Sequence, residues 1–264
     1  MAELDDAYAN AAHIPGAADF PPRWERAAAG LREGLIEQGL ADLDQPYGDS
    51  PRQRFDLFHP GGAPKGLMVF VHGGYWLRFD KSVWSHLAAG ALSQGWAVAM
   101  PSYDLCPQVR IADITRQIAQ AVTTAAGMVA GPVVLAGHSA GGHLVARMLQ
   151  PGLLPDAVAA RLRHVMPISP VSDLRPLLRT SMNADFKLDE DAAIAESPAM
   201  MVERLPVPVT VWVGADERPV FLDQARWLAE AWGCAHVVDA GKHHFDVIDA
   251  LGDGQSGMIT RLLG

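Results

Sequence analysis

Short apolar runs recur along the chain, separated by stretches in which apolar residues return every three or four positions. "RFDLFHP" (54–60), "GLMVFVHGG" (66–74), "WAVAMPSY" (96–103), "PVVLAG" (132–137), "HVMPIS" (164–169), "VTVWVG" (209–214) and "HVVDA" (236–240) have strand length, and most are rich in β-branched or aromatic residues. Helical spacing fills the gaps. It predicts helices over 82–95, over 111–131 with Ile111, Ile114, Ile118 and Val122 on one face, and over 140–149. A further helix carries Leu222, Ala225, Leu228 and Trp232, and a last one starts near 246. Apolar strands alternating with helices predict an α/β fold, a mostly parallel doubly wound sheet with helices on both faces.

Two segments break the alternation. Residues 1–50 hold a helical stretch, "PRWERAAAGLREGLIEQGL", expected to pack over the sheet. Residues 174–207 separate two strands and are long enough to form a small lid-like insertion. Their acidic cluster "LDEDAAIAE" reads as a solvated helix face. No internal repeat or low-complexity tract appears, so 1–264 is expected to be a single domain.

Composition narrows the partners. With 49% hydrophobic and 19% charged residues the chain is expected to fold as a globule. A formal charge of −9 and no dense Lys/Arg cluster argue against a nucleic-acid partner. The acidic start "MAELDDAYAN" is unlike a secretory signal, and no apolar run nears the roughly 20 residues of a membrane span, which makes a cytoplasmic, non-membrane protein the expectation. Cys106 and Cys234 are too few for a disulfide framework or a cysteine zinc site, and core packing accounts for them.

Chemistry concentrates at four strand ends. "GHSAGGHL" (137–144) places Ser139 between an apolar strand and a helix. Ser139 is there either an N-cap in a tight turn or the nucleophile of a G-x-S-x-G elbow, with the Ala140 N–H as an oxyanion donor. "HGGYW" (72–76) follows the strand "LMVFV", where Gly73 and Gly74 leave backbone N–H groups unshielded. His72 precedes the serine, against the chain order of nucleophile, acid, histidine, and is read as a brace for this loop. Tyr75 and Trp76 are either acyl-pocket walls or aromatics buried at the loop's foot. A serine nucleophile needs a base and a carboxylate to orient it. "GADERP" after one strand offers the acid, and "GKHHFD" after the last offers His243 or His244.

"HGGYW", "GHSAGGHL" and "HHFDVI" together resemble the kynurenine formamidase (arylformamidase) group of α/β hydrolases, near the hormone-sensitive-lipase-like esterases. The resemblance covers about residues 47–250, and "YAN…IPGAADFPPRW" adds to it more weakly. It implies an α/β-hydrolase fold and a base followed by Phe-Asp, which selects His244. It also implies an acid three residues after the glycine ending the strand and followed by x-Pro, which is Glu217. The family normally has Asp there, and this chain departs from it by placing Asp at 216 and Glu at 217.

The expected catalytic set is therefore Ser139, Glu217 and His244. Gly73, Gly74 and Ala140 would form the oxyanion hole, Tyr75 and Trp76 would contact substrate, and no metal or cofactor is expected. The implied activity is acyl-enzyme hydrolysis of a small, formyl-like amide or ester of an aryl compound, a small-molecule substrate. A small-ester carboxylesterase or thioesterase of the same fold is the alternative. A metal-dependent amidohydrolase using His243 and His244 lacks the H-x-x-E-H or H-E-x-x-H spacing, and a non-catalytic binding module would need no triad. Association into a homodimer is left open.

Overall fold

The computed structural model describes residues 2–264. Eight strands form one sheet: β1 (Ala41–Pro46), β2 (Arg54–Phe58), β3 (Leu67–Val71), β4 (Ala97–Pro101), β5 (Val133–His138), β6 (Leu162–Ile168), β7 (Thr210–Gly214) and β8 (Ala235–Asp239). Their order is β1-β2-β4-β3-β5-β6-β7-β8. β1 and β2 run antiparallel to their neighbours, and the pairs from β4 through to β8 are parallel. This is the expected mostly parallel sheet flanked by helices, with an antiparallel edge.

β3, β4 and β5 are buried along their whole length because both sheet faces are covered. Leu67, Val69 and Val71 face the layer that contains helix Ile111–Met128 and helix Pro219–Trp232. Met68 and Phe70 face the other layer, with Trp24 and Leu35 of helix Phe20–Glu37. Each fully buried aliphatic side chain of this kind contributes on the order of 1.5–3 kcal/mol.

Register places the functional loops side by side. Val71 pairs with Gly137, His138 with Ile168, and Gly214 with Asp239, so the segments leaving β3, β5, β6, β7 and β8 emerge at one carboxyl edge. Helix Ala140–Arg147 starts directly from β5.

The structure departs from the sequence pattern in four places. β1 was not expected: "ADLDQP" is an edge strand whose alternate residues stay exposed, so it has no apolar run to mark it. Over 82–95 only Ala89–Ser93 is α-helical. Residues Lys81–Val83 and Ser85–Ala88 are 3₁₀ turns, bent so that Trp84 reaches Trp24 with ring centroids 4.8 Å apart. The C-terminal helix is divided into a 3₁₀ segment Val247–Gly252 and an α-helix Gly257–Leu263, which Ser256 caps through the Ile259 N–H. Within "LDEDAAIAE", Asp189, Glu190 and Asp191 are exposed as expected, but Glu196 is buried. It accepts a hydrogen bond from Thr115 Oγ1 at 2.7 Å and lies 3.4 Å from Arg147 Nε, which compensates its charge.

Residues 174–207 carry short helical turns whose Leu174, Leu177, Phe186 and Ala193 insert into the core. Among the described residues no helix is long and apolar enough to cross a membrane.

Candidate active site

Ser139 stands at φ +56°, ψ −117°, a conformation costly for a residue with a side chain. Its N–H is tied to the Ile168 carbonyl at 2.8 Å. The glycine after the elbow is forced by sterics, since a β-carbon at Gly141 would overlap the Val71 carbonyl oxygen. Strand, turn and helix are thereby locked together with Ser139 at the tip.

The HGG loop lies against that tip. A β-carbon at Gly73 would sit 2.9 Å from the His138 oxygen and 3.0 Å from Ser139 Cβ, and Gly74 has φ +109° with no room for one beside Arg78. Neither Gly73 N–H nor Gly74 N–H donates a hydrogen bond among the described residues. Ala140 is the first residue of its helix, and its N–H belongs to the turn that has no intrahelical acceptor. Three backbone donors therefore belong to the segments that meet at the serine.

His72 is buried, donates from Nδ1 to the Gly73 carbonyl at 2.7 Å and stacks on Tyr103 at 4.4 Å. Tyr103 in turn donates to the His72 carbonyl at 2.9 Å. Burial pushes the His72 pKa down to about 4, so the ring is neutral and serves the loop as a brace.

His244 is 4% exposed and donates from Nδ1 to Glu217 Oε2 at 2.6 Å. Its ring packs on Phe221 at 4.3 Å and on His138 at 4.6 Å. Burial, then the neighbouring His244, holds His138 well below the ordinary histidine value, so no second imidazolium competes beside His244. The other Glu217 oxygen, Oε1, accepts from the Gly214 N–H at 3.0 Å and from the Ser169 hydroxyl. The structure thus brings together Ser139, Gly73, Gly74 and Ala140, and couples Glu217 to His244.

It separates the neighbours that the sequence left in competition. Asp216 points its carboxylate to the surface, and its N–H bonds the Lys242 carbonyl at 2.9 Å. His243 turns away to Phe20, with ring centroids 5.3 Å apart, and its Nδ1 lies 3.1 Å from Asp246 Oδ1. His243 and His244 therefore diverge, and among the described residues no cluster of three His, Cys, Asp or Glu side chains is arranged around a metal position.

The aromatic pair divides. Tyr75 (φ +54°) donates its hydroxyl to the Tyr8 carbonyl at 2.7 Å and keeps 9% of its surface exposed. Trp76 (φ +56°) has no exposed surface and packs edge-on against His143 at 5.1 Å and Phe186 at 5.6 Å. As a substrate-contacting residue Trp76 is corrected to a packing residue: its ring is fully buried against His143 and Phe186.

Two contributors escaped the sequence reading. Phe221 forms a wall for the His244 ring, and Ser169 holds Glu217; both lie in segments whose pattern shows only a helix start and a strand end. The N-terminal segment also reaches the site. Tyr8 is buried, packs on Phe221 at 5.9 Å and accepts from Gln224 Nε2 at 3.0 Å through its hydroxyl.

Several known proteins are similar to this chain. Residues 68–238 match the family model described as alpha/beta hydrolase fold. The kynurenine formamidase of Drosophila melanogaster is 30% identical over 242 residues, covering 83% of this chain and 79% of that protein. That of Danio rerio is 26% identical over 235 residues, 84% of this chain and 80% of that protein. A solved structure from Silicibacter sp. TM1040, provisionally described as a thioesterase, is 64% identical over all of both chains with a TM-score of 0.98.

Proposed function

From the premise that the chain belongs to the alpha/beta hydrolase fold family, we propose that it is a serine hydrolase that removes small acyl groups from esters or thioesters through an acyl-enzyme. The observation that carries this reading is the buried Glu217–His244 pair at 2.6 Å, its imidazole packed on His138, the residue before a strained Ser139, together with HGG-loop N–H groups that are unpaired among the described residues. In this reading Ser139 Oγ attacks the acyl carbon while His244 Nε2 takes its proton. The oxyanion then accepts hydrogen bonds from the N–H groups of Gly73, Gly74 and Ala140. Collapse breaks the bond to the alcohol or thiol, which leaves with the proton from His244. Water, deprotonated by the same imidazole, attacks the acyl-enzyme and frees the carboxylic acid and Ser139. Glu217 stays ionised throughout and stabilises the imidazolium.

The thioesterase description of the 64% identical relative supports an ester or thioester substrate. A second reading, release of formate from an N-formylated aryl amine, is supported by the relatives named kynurenine formamidase, which align over more than four-fifths of the chain. Both readings call for a small acyl group. Ser139 and His244 are 3% and 4% exposed, and Tyr75 and Phe221 crowd the same edge. The test is a series of formyl, acetyl and hexanoyl p-nitrophenyl esters, an acetyl thioester and N-formylkynurenine. Highest kcat/KM for the formyl and acetyl compounds, with a steep fall by hexanoyl, is expected, and preference for hexanoyl would overturn the small-acyl reading. Turnover of N-formylkynurenine above the esters and thioester would move the assignment to the formamide.

A further inference from the structure

The carboxylate of Glu217 is shared among three partners, and only one of them belongs to the proposed proton path. Oε2 faces His244 Nδ1 at 2.6 Å. Oε1 is turned the other way, into the Gly214 N–H at 3.0 Å and the Ser169 hydroxyl. Glu217 has no exposed side-chain surface, and among the described residues no lysine or arginine pairs with it. A buried anion without a cationic partner depends on its hydrogen bonds, and losing one leaves much of its desolvation cost uncompensated. Glutamate also has one more side-chain torsion than aspartate, so a carboxylate that loses one of its two Oε1 donors is held less firmly against rotation.

Ser169 occupies its place at a cost. It follows the last residue of β6, is completely buried, and has φ +46°, a region where glycine would be unstrained. Its N–H is fixed to the Trp212 carbonyl at 2.7 Å, which holds the backbone across the β6/β7 seam and aims the side chain at the Glu217 loop. What serine offers at this position and glycine would not is its hydroxyl, which donates to Glu217 Oε1.

We infer that Ser169 is a positioning residue whose hydroxyl locks the Glu217 carboxylate in the orientation that presents Oε2 to His244. This rests on the serine-hydrolase reading above. The titratable groups facing His244 are Glu217 and the neutral His138, with Tyr75 also close to Glu217. Without the Ser169 donor the negative charge on Glu217 is less stabilised, so the carboxylate becomes more basic and favours the protonated form of His244. Loss of the hydroxyl therefore has two effects: a looser carboxylate slows the reaction, and the acid limb of the pH profile moves upward.

A fluorophosphonate reads both effects without knowledge of the substrate, because phosphonylation of Ser139 needs the same base. Inactivation rate constants are measured against pH for the wild type, Ser169→Gly and Ser169→Ala. The plateau rate is expected to fall about 10- to 100-fold in both variants, as when other supporting hydrogen bonds are removed. The acid limb should move to higher pH, while Ser169→Gly, relieved of the positive φ, melts no lower than Ser169→Ala. In a Glu217→Gln background Ser169→Gly should cost little more, since both act through one carboxylate. Labelling of Ser169→Gly within twofold of wild type with an unmoved pH profile would overturn the inference, as would losses that simply multiply in the double variant. A wild-type enzyme that takes no label would overturn the serine-hydrolase reading instead.

Discussion

A β-carbon at Gly141 would overlap the backbone of β3, whereas the N-terminal strap, residues 2–13, is fastened largely by side chains that reach into solvent. At the elbow, three backbone segments approach to contact and the surrounding histidines are sealed from water. On the strap, Glu3 pairs with Arg179 at side-chain exposures of 65% and 56%, Asp6 with Arg218 at 2.9 Å, and Asp6 with His13 at 2.8 Å. The Asp5 carboxylate accepts the Ser181 N–H at 2.6 Å. Tyr8 anchors the strap as a buried aromatic, with Leu4 and Ala7 partly buried against the core. The elbow is held by sterics and desolvation, which salt does not touch, and the strap by ion pairs that salt screens. Parts that must keep one geometry and parts that lie over them are thus built from interactions of different sensitivity.

The largest effect should come from breaking the sealed region at its buried carboxylate. Glu217→Gln is expected to lower kcat on a small ester by about 10³- to 10⁴-fold, and Asp216→Asn, at the surface, to change it less than threefold, of the order seen for surface substitutions. Steady-state kinetics with circular dichroism as a folding control decides this. The reverse ranking would move the orienting role to Asp216.

Acid separates the two regions next. Burial pushes His72 down to about 4 and His143 to about 3, and holds His138 well below the ordinary value of 6.5. As pH falls below 6.5 the unfolded chain takes up protons that the folded chain refuses, so stability drops by about 1.4 kcal/mol per pH unit per histidine until the folded-state values are reached. Asp249, raised by burial, works in the opposite sense but is a single group. Melting temperature should therefore fall steeply between pH 6.5 and 4, at low and high salt alike. A flat profile over that range would show that these histidines titrate freely.

The smallest effect is on the strap. Replacing Arg179 and Arg218 together by alanine, or raising salt from about 0.05 to about 0.5 M, should speed amide exchange across residues 2–13 a few-fold and leave residues 133–147 unchanged. Equal acceleration in both regions would mean that the strap is part of the same cooperative unit as the elbow.

What the sequence made legible follows the same division. β3 and β5 are buried on both faces, so "LMVFV" and "PVVLA" stand out as uninterrupted apolar runs. The elbow is legible because close backbone approach leaves glycine as the residue that fits, and a steric requirement writes itself into residue type. β1, with Asp42 and Asp44 on its solvent side, writes no such signal. The choice between Asp216 and Glu217 is invisible to spacing alone, since the two differ by one position in a loop; the structure shows that the Lys242 carbonyl and the Gly214 N–H set the loop's direction. Ser169 was illegible for a stronger reason. It meets Glu217 only because β6 and β7 pair with Ile168 opposite Trp212, a register fixed by the whole sheet and by nothing in "SPVSD". Trp76 misled because an aromatic beside a glycine loop reads alike whether it faces a pocket or the core, and its packing against His143 and Phe186, distant in sequence, decides.

The central claim is that Ser139, His244 and Glu217 work as one nucleophilic unit at the carboxyl edge of the sheet. Intact-mass and peptide analysis after fluorophosphonate treatment tests it most directly. Wild-type protein should gain one adduct per chain, located on Ser139, and folded Ser139→Ala protein should gain none. A wild type that stays unmodified, or an adduct that persists undiminished in Ser139→Ala, would contradict the account.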